Sequence, residues 1–201
     1  MKEFSIVGVL IINAFILVRY CYLIIRGRIQ PALAMWLFFS IAAGGSLATY
    51  LSSGDFGLLD NIVNSADILL VVVITLAIAV FGDKSTKFNL FDSGCLVSVV
   101  VICVFWAVTK NHIVSHLLIQ TIMIIAYFPV VKRLWTTDRN TESYLAWIGL
   151  LLAPCVSLLS SRGMLASVYA IRAIVCTSLL LLLMIRADLR NRRAGTVPTE
   201  P

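Results

Sequence analysis

Seven apolar runs, at about residues 4–25, 31–50, 58–81, 91–109, 113–133, 143–160 and 163–185, take up most of the chain. A bilayer core about 30 Å thick needs roughly 20 apolar residues per helix, so each run is long enough to span it. Hydrocarbon offers no hydrogen bonds, so each run must satisfy its backbone within itself, as a helix. The connectors RGRIQ, SSGDFGL, GDKSTKFN, KN, KRLWTTDRN and SRG are short and turn-type or charged, which predicts antiparallel neighbours. The 201 residues are 60% hydrophobic and 13% charged, with a mean hydropathy of +0.98. Ordinary soluble domains carry about 25% charged residues. Lipid is therefore the expected solvent for most of the surface, and a soluble fold is excluded. The first run is too long for a signal-peptide core and is read as a retained span.

Charge orients the spans. The first, third and fifth connectors and the C-terminal tail hold eleven Lys and Arg, from Arg26 and Arg28 to Arg192 and Arg193. The other side holds three, Lys2, Lys110 and Arg162. Basic residues favour the cytoplasmic side, which predicts an outer N-terminus and an inner C-terminus. The sequence pI near 9.3 is thus a topology signal, and no nucleic-acid partner is expected. Five cysteines form no CxxC pair and lie in or beside apolar runs, as small buried hydrophobes do.

Sliding the chain over itself by 111 positions aligns Trp36 with Trp147, Arg28 with Arg139, Ser46 with Ser157 and Thr49 with Ser160. The shift lays spans 1–3 over spans 5–7 and leaves span 4 as a linker that restores orientation. The expected architecture is all-α: a polytopic membrane protein of seven transmembrane helices, built as two parallel three-helix repeats. Residues 1–82 form the first repeat, 83–110 the linker helix, 111–186 the second repeat and 187–201 a disordered cytoplasmic tail.

This 3+1+3 layout resembles the PQ-loop superfamily, which includes the SWEET sugar transporters, lysosomal amino-acid exporters and KDEL receptors. The family carries a Pro-Gln pair late in the first helix of each triplet, before a basic loop rich in Thr and Ser. YFPVVKRLWTTDRNTES, residues 127–143, has that shape, with Pro129, Lys132 and Arg133. Val130 stands in place of the Gln, and Val18 where the shift would put a second Pro. The resemblance implies that Pro129 is a hinge. It also implies a site on the third helix of each triplet, where Asn64 fits and Arg172 and Thr177 stand opposite.

Charges inside spans are costly unless paired or wetted, which marks Asp67 and Arg172 as gate or anchor residues. They lie at similar depth in spans 3 and 7 and are expected to face one another across a cavity. The alternative is a structural ion pair joining the halves. Arg19 lies near a span end and is expected to reach headgroups, and Asn89 and Asp92 to cap the fourth helix. Asn13, Ser40, Ser46, Asn64, Thr75, Gln120, Tyr127, Ser157, Ser160 and Tyr169 are uncharged polar residues inside spans, and Asn13, Asn64, Gln120 and Tyr127 are the chosen candidates for the pocket wall. Trp147, with Trp36, is either an interfacial ring or a stacking surface. His112 and His116 are expected near the water interface, and AAGGS (42–46) to permit close helix packing.

No nucleophile elbow, zinc-protease helix, P-loop or dinucleotide fingerprint is present, so no cofactor, metal or catalytic residue is expected. The leading expectation is a transporter moving a small polar metabolite by alternating access, in the plasma or inner membrane. A KDEL-receptor-like binding protein and an intramembrane lipid-modifying enzyme are the alternatives. The expected partners are the bilayer and a small solute, with homo-oligomerisation left open.

Overall fold

The computed structural model describes residues 1–29, 31, 33–82, 90–136 and 143–193. The connector 83–89 with its expected cap Asn89, the loop 137–142 with Arg139, and the tail from 194 lie outside the described residues.

Among the described residues the chain is helical and has no strand. The helices are α1 (Lys2–Ile25), α2 (Leu33–Leu51), α3 (Ile62–Phe81), α4 (Leu90–Thr109), α5 (His112–Ile125), α6 (Phe128–Thr136), α7 (Tyr144–Ser157) and α8 (Met164–Arg193). A 3₁₀ turn, Leu58–Asn61, leads into α3. Five helical segments are long and apolar enough to cross a membrane: Lys2–Ile25, Leu58–Phe81, Leu90–Thr109, His112–Thr136 and Met164–Asn191. Met35–Leu51 and Tyr144–Ser157 are apolar but shorter. Helix α8 runs past the expected boundary at 185 and takes in the first residues of the expected tail.

Helix α1 illustrates the packing. Ser5, Val9, Asn13, Ile16, Tyr20, Leu23 and Ile24 are buried, at spacings that gather them on one face. Val7, Leu10, Ile11, Phe15 and Val18 point outward and are half to largely exposed. A helix apolar on both faces, with only one of them packed, suits a lipid-facing position. Gly27 ends the helix with φ 64°; its N–H bonds Ile24 O and that of Arg28 bonds Leu23 O. This pair of reverse bonds needs the left-handed backbone that glycine adopts at little cost.

Helix-to-helix contacts close a ring in the order α1, α3, α2, α5, α8, α7 and back to α1. Helix α4 packs outside it on α2 and α5, and α6 lies along α8. Small residues set the close approaches. A Cβ on Gly149 would come within 2.8 Å of Ile16 in α1, and one on Gly45 within 2.9 Å of Cys103 in α4. The AAGGS segment is thus a packing surface at Gly45, whereas a Cβ on Gly44 would meet nothing within 4 Å.

The span expected over 113–133 is present as the segment His112–Thr136, with a turn inside it. Helix α5 ends at Ile125, Ala126 and Tyr127 form a turn, and α6 begins at Phe128. Pro129 is the second residue of α6. With no N–H to give the Ile125 carbonyl four residues before it, proline belongs in a helix's first turn rather than its interior.

Candidate functional site

The ring encloses a cavity of about 70 Å³, measured at the centre of a water-sized sphere. That is room for several waters or a small solute. Its wall draws on α2, α3, α5, α7, α8 and the turn at Tyr127, and is mostly apolar. Asp67 of α3 and Arg172 of α8 are its charged residues.

The two charges do not meet. No ion pair within 4.0 Å joins them. Tyr169, one turn before Arg172, stands between. Its hydroxyl donates to Asp67 Oδ2 at 2.9 Å, while the Arg172 guanidinium carbon lies 4.8 Å from its ring centre. Asp67 Oδ1 accepts from Asn13 Nδ2 of α1 at 3.4 Å. Both charges line the one cavity. The direct pair considered as the alternative is replaced by an aromatic bridge that bonds one charge and stacks against the other.

Comparison with known proteins adds no identification: no family model, no curated protein and no solved structure matches the chain. The site must be read from its own geometry.

Arg172 Nε donates to Gln120 Oε1 at 3.0 Å, and from there a polar relay runs towards the Met1 end of the bundle. Gln120 Nε2 gives one hydrogen to Ser46 Oγ at 2.9 Å and the other to His116 Nε2 at 3.3 Å. The imidazole therefore carries its hydrogen on Nδ1, beside Thr49 Oγ1 at 3.0 Å and Ser46 O at 3.2 Å. This tautomer follows from the donors around it. Asn64 closes the relay. With its amide oxygen towards α2 it accepts from Leu47 N and Ser46 Oγ at 3.1 Å, and its nitrogen donates to Ala43 O.

The expected site residues therefore fall into two groups. Asp67, Arg172, Tyr127 and Trp147 line the cavity, and so does Trp36. Trp36 and Trp147 are only 6% and 5% exposed, which places both in the interior and not in an interfacial belt. Asn13 reaches the cavity through Asp67. Asn64 and Gln120 lie behind the wall, buried in the relay. The interfacial expectation for His116 fails, because the ring is completely buried. It lies one helical turn from Gln120, and that shared face turns inward onto α2. His112 is separate from it and accepts from Trp106 Nε1 at 2.9 Å.

Two further features border the cavity. Phe39 lines the cavity 5.4 Å from Tyr127, which lies 6.3 Å from Trp147, so an aromatic row borders the end away from Met1. Pro154 lies inside α7 and also lines the cavity, leaving the Leu150 carbonyl without its usual i+4 donor. A proline in an apolar run was the available signal for the second.

Proposed function

We propose that this chain is a membrane transporter that carries a small polar solute through the cavity between two three-helix halves. The observation carrying this is a cavity enclosed by helices of both expected halves, with an acid from one and a base from the other that leave each other unpaired. Buried unpaired charges are costly in a low-dielectric interior and are retained where a ligand or water completes them.

The ring order supports the two-half reading. Helix α3 packs between α1 and α2, and α8 packs between α7 and the α5–α6 pair, so each triplet has its third member in the middle. The positions paired by the 111-residue shift also match in setting. Trp36 and Trp147 line the cavity, while Ser46 with Ser157 and Thr49 with Ser160 are buried. In this reading the N-terminus is outside, the eleven-residue basic side is cytoplasmic, and the halves rock about the cavity. The turn at Ala126–Tyr127, enforced by Pro129, is the hinge on the cytoplasmic side.

Reconstitution of the full chain in liposomes tests this reading. A panel of radiolabelled polar metabolites should show counterflow above protein-free vesicles for at least one of them, and Arg172→Gln should abolish it. Flux equal to that of empty vesicles across the panel, from protein that remains monodisperse, would remove the transport reading.

A further inference from the structure

Building on the transport reading, we infer that the solute held in this cavity is a small monocarboxylate. Its carboxylate docks on the Nη1–Nη2 edge of the Arg172 guanidinium, and a hydrogen-bond donor elsewhere on it turns towards Asp67.

The guanidinium defines the first half. Arg172 is 7% exposed, so more than nine-tenths of it is withdrawn from solvent. Its Nε edge is taken by Gln120 and one flat face lies over Tyr169. The Tyr127 hydroxyl comes close enough to the guanidinium to accept a hydrogen bond from it. Among the described residues no hydrogen bond of good geometry takes up its two terminal nitrogens, and no carboxylate lies within 4.0 Å. With one contact to Tyr127, the planar Nη1–Nη2 fork keeps further N–H donors, and its spacing matches the two oxygens of a carboxylate.

Asp67 defines the second half. Each of its oxygens takes one donor, from Asn13 and from Tyr169, and an ionised carboxylate has lone pairs for more. It can therefore accept from a hydroxyl or similar donor on the solute. A second carboxylate would meet its charge in a low-dielectric site, which disfavours dicarboxylates. Trp36, Phe39 and Trp147 offer apolar surface to a short carbon body, and the cavity volume limits its size.

The test uses the purified full chain in detergent, titrated with glycolate, lactate, 3-hydroxybutyrate, lactamide, succinate and inorganic phosphate. At least one hydroxy acid should raise the melting temperature, and lactate should bind roughly ten- to hundredfold tighter than lactamide, the loss expected for charge-assisted hydrogen bonds. Arg172→Gln should abolish lactate binding, and Asp67→Asn should keep it while admitting succinate. The inference is overturned if none of the three acids binds, if lactamide binds as well as lactate, or if phosphate or succinate is preferred by the wild-type chain. It is also overturned if folded Arg172→Gln retains lactate. The acid–amide comparison needs no variant, so a misfolded substitution leaves the test intact. Lactate binding without counterflow would retain the carboxylate site and remove the transport reading. Counterflow of uncharged solutes with the acids inert would do the reverse.

Discussion

The two ends of the cavity are closed by different chemistry. Towards Met1 the closure is polar and directional: Gln120, Ser46, His116, Thr49 and Asn64 are buried, and each hydrogen bond specifies the position of the next. Towards Ile25 it is aromatic. Tyr20 meets Trp36 at 5.1 Å, and Phe39, Tyr127 and Trp147 follow one another at 5.4 and 6.3 Å. Buried hydrogen bonds lose most of their value when displaced slightly, because the freed groups find no water. Aromatic contacts tolerate tilt and offset with small loss. A small shift therefore costs the polar end more than the aromatic end. The helix break at Ala126–Tyr127 lies at the aromatic end.

The sharpest way to break this contrast is to cut the relay at its centre. Gln120→Leu removes the acceptor for Arg172 Nε and the donors to Ser46 and His116, leaving a buried charge short of a partner. The expected loss is about 3 kcal/mol, read from denaturant unfolding in detergent. Phe39→Leu at the other end keeps the side chain apolar and gives up an aromatic contact, for about 1 kcal/mol. Equal losses would mean that the two ends do not differ in the way described.

How much of this could be read from the sequence follows from the same distinction. The helices and their succession were legible because apolar runs and turn-type connectors are local signals. Asp67 and Arg172 were legible because charge inside such a run is rare and demands an explanation. The relay was not. Nothing local to Gln120 or His116 says that their shared face turns onto Ser46 and Thr49, some seventy residues earlier in the chain. Hydrogen-bond partners are set by ring closure, which brings α5 against α2. The same holds for Tyr169. It was visible as one polar residue among several, but its place between the two charges depends on how α8 is rotated.

Tyr169→Phe sharpens the comparison inside the cavity. It deletes the hydroxyl that donates to Asp67 and keeps the ring beneath Arg172, so the two charges are affected separately. Losing one donor to a partly buried carboxylate should cost about 1 kcal/mol. In counterflow, variants at this position should alter the preference among solute donor groups while still requiring a carboxylate. If the acid requirement disappears as well, Tyr169 acts on Arg172 and not on Asp67 alone.

Pro129→Ala tests whether the aromatic end moves. An alanine restores the N–H that the Ile125 carbonyl lacks, and α5 and α6 gain the option of one continuous helix. In the proposed transport reading, counterflow should slow several-fold, about 1 kcal/mol in barrier, with affinity unchanged, because lid and hinge motions set many turnover rates. An unchanged rate in a folded protein would leave the break as a static feature.

The smallest effect belongs at the water-facing rim of the Met1 end. Lys2 Nζ lies 2.8 Å from Asp60 Oδ1 and Arg162 Nη1 lies 3.8 Å from the same oxygen, tying the start of α1 to the turn before α8. The Lys2 side chain in the closer of these two pairs is half exposed. Water already solvates much of its charge, so Lys2→Ala should cost about 0.5 kcal/mol and less at high salt. Three residues further into the same helix, Ser5 is fully buried, donates to Val156 O at 2.6 Å and pairs with Ser160 at 2.8 Å. Ser5→Ala strips the donor from that carbonyl with no water to replace it, and should cost more, about 1 kcal/mol, with no salt dependence. If Lys2 proves the costlier of the two, surface charge and not the buried polar network holds this end closed.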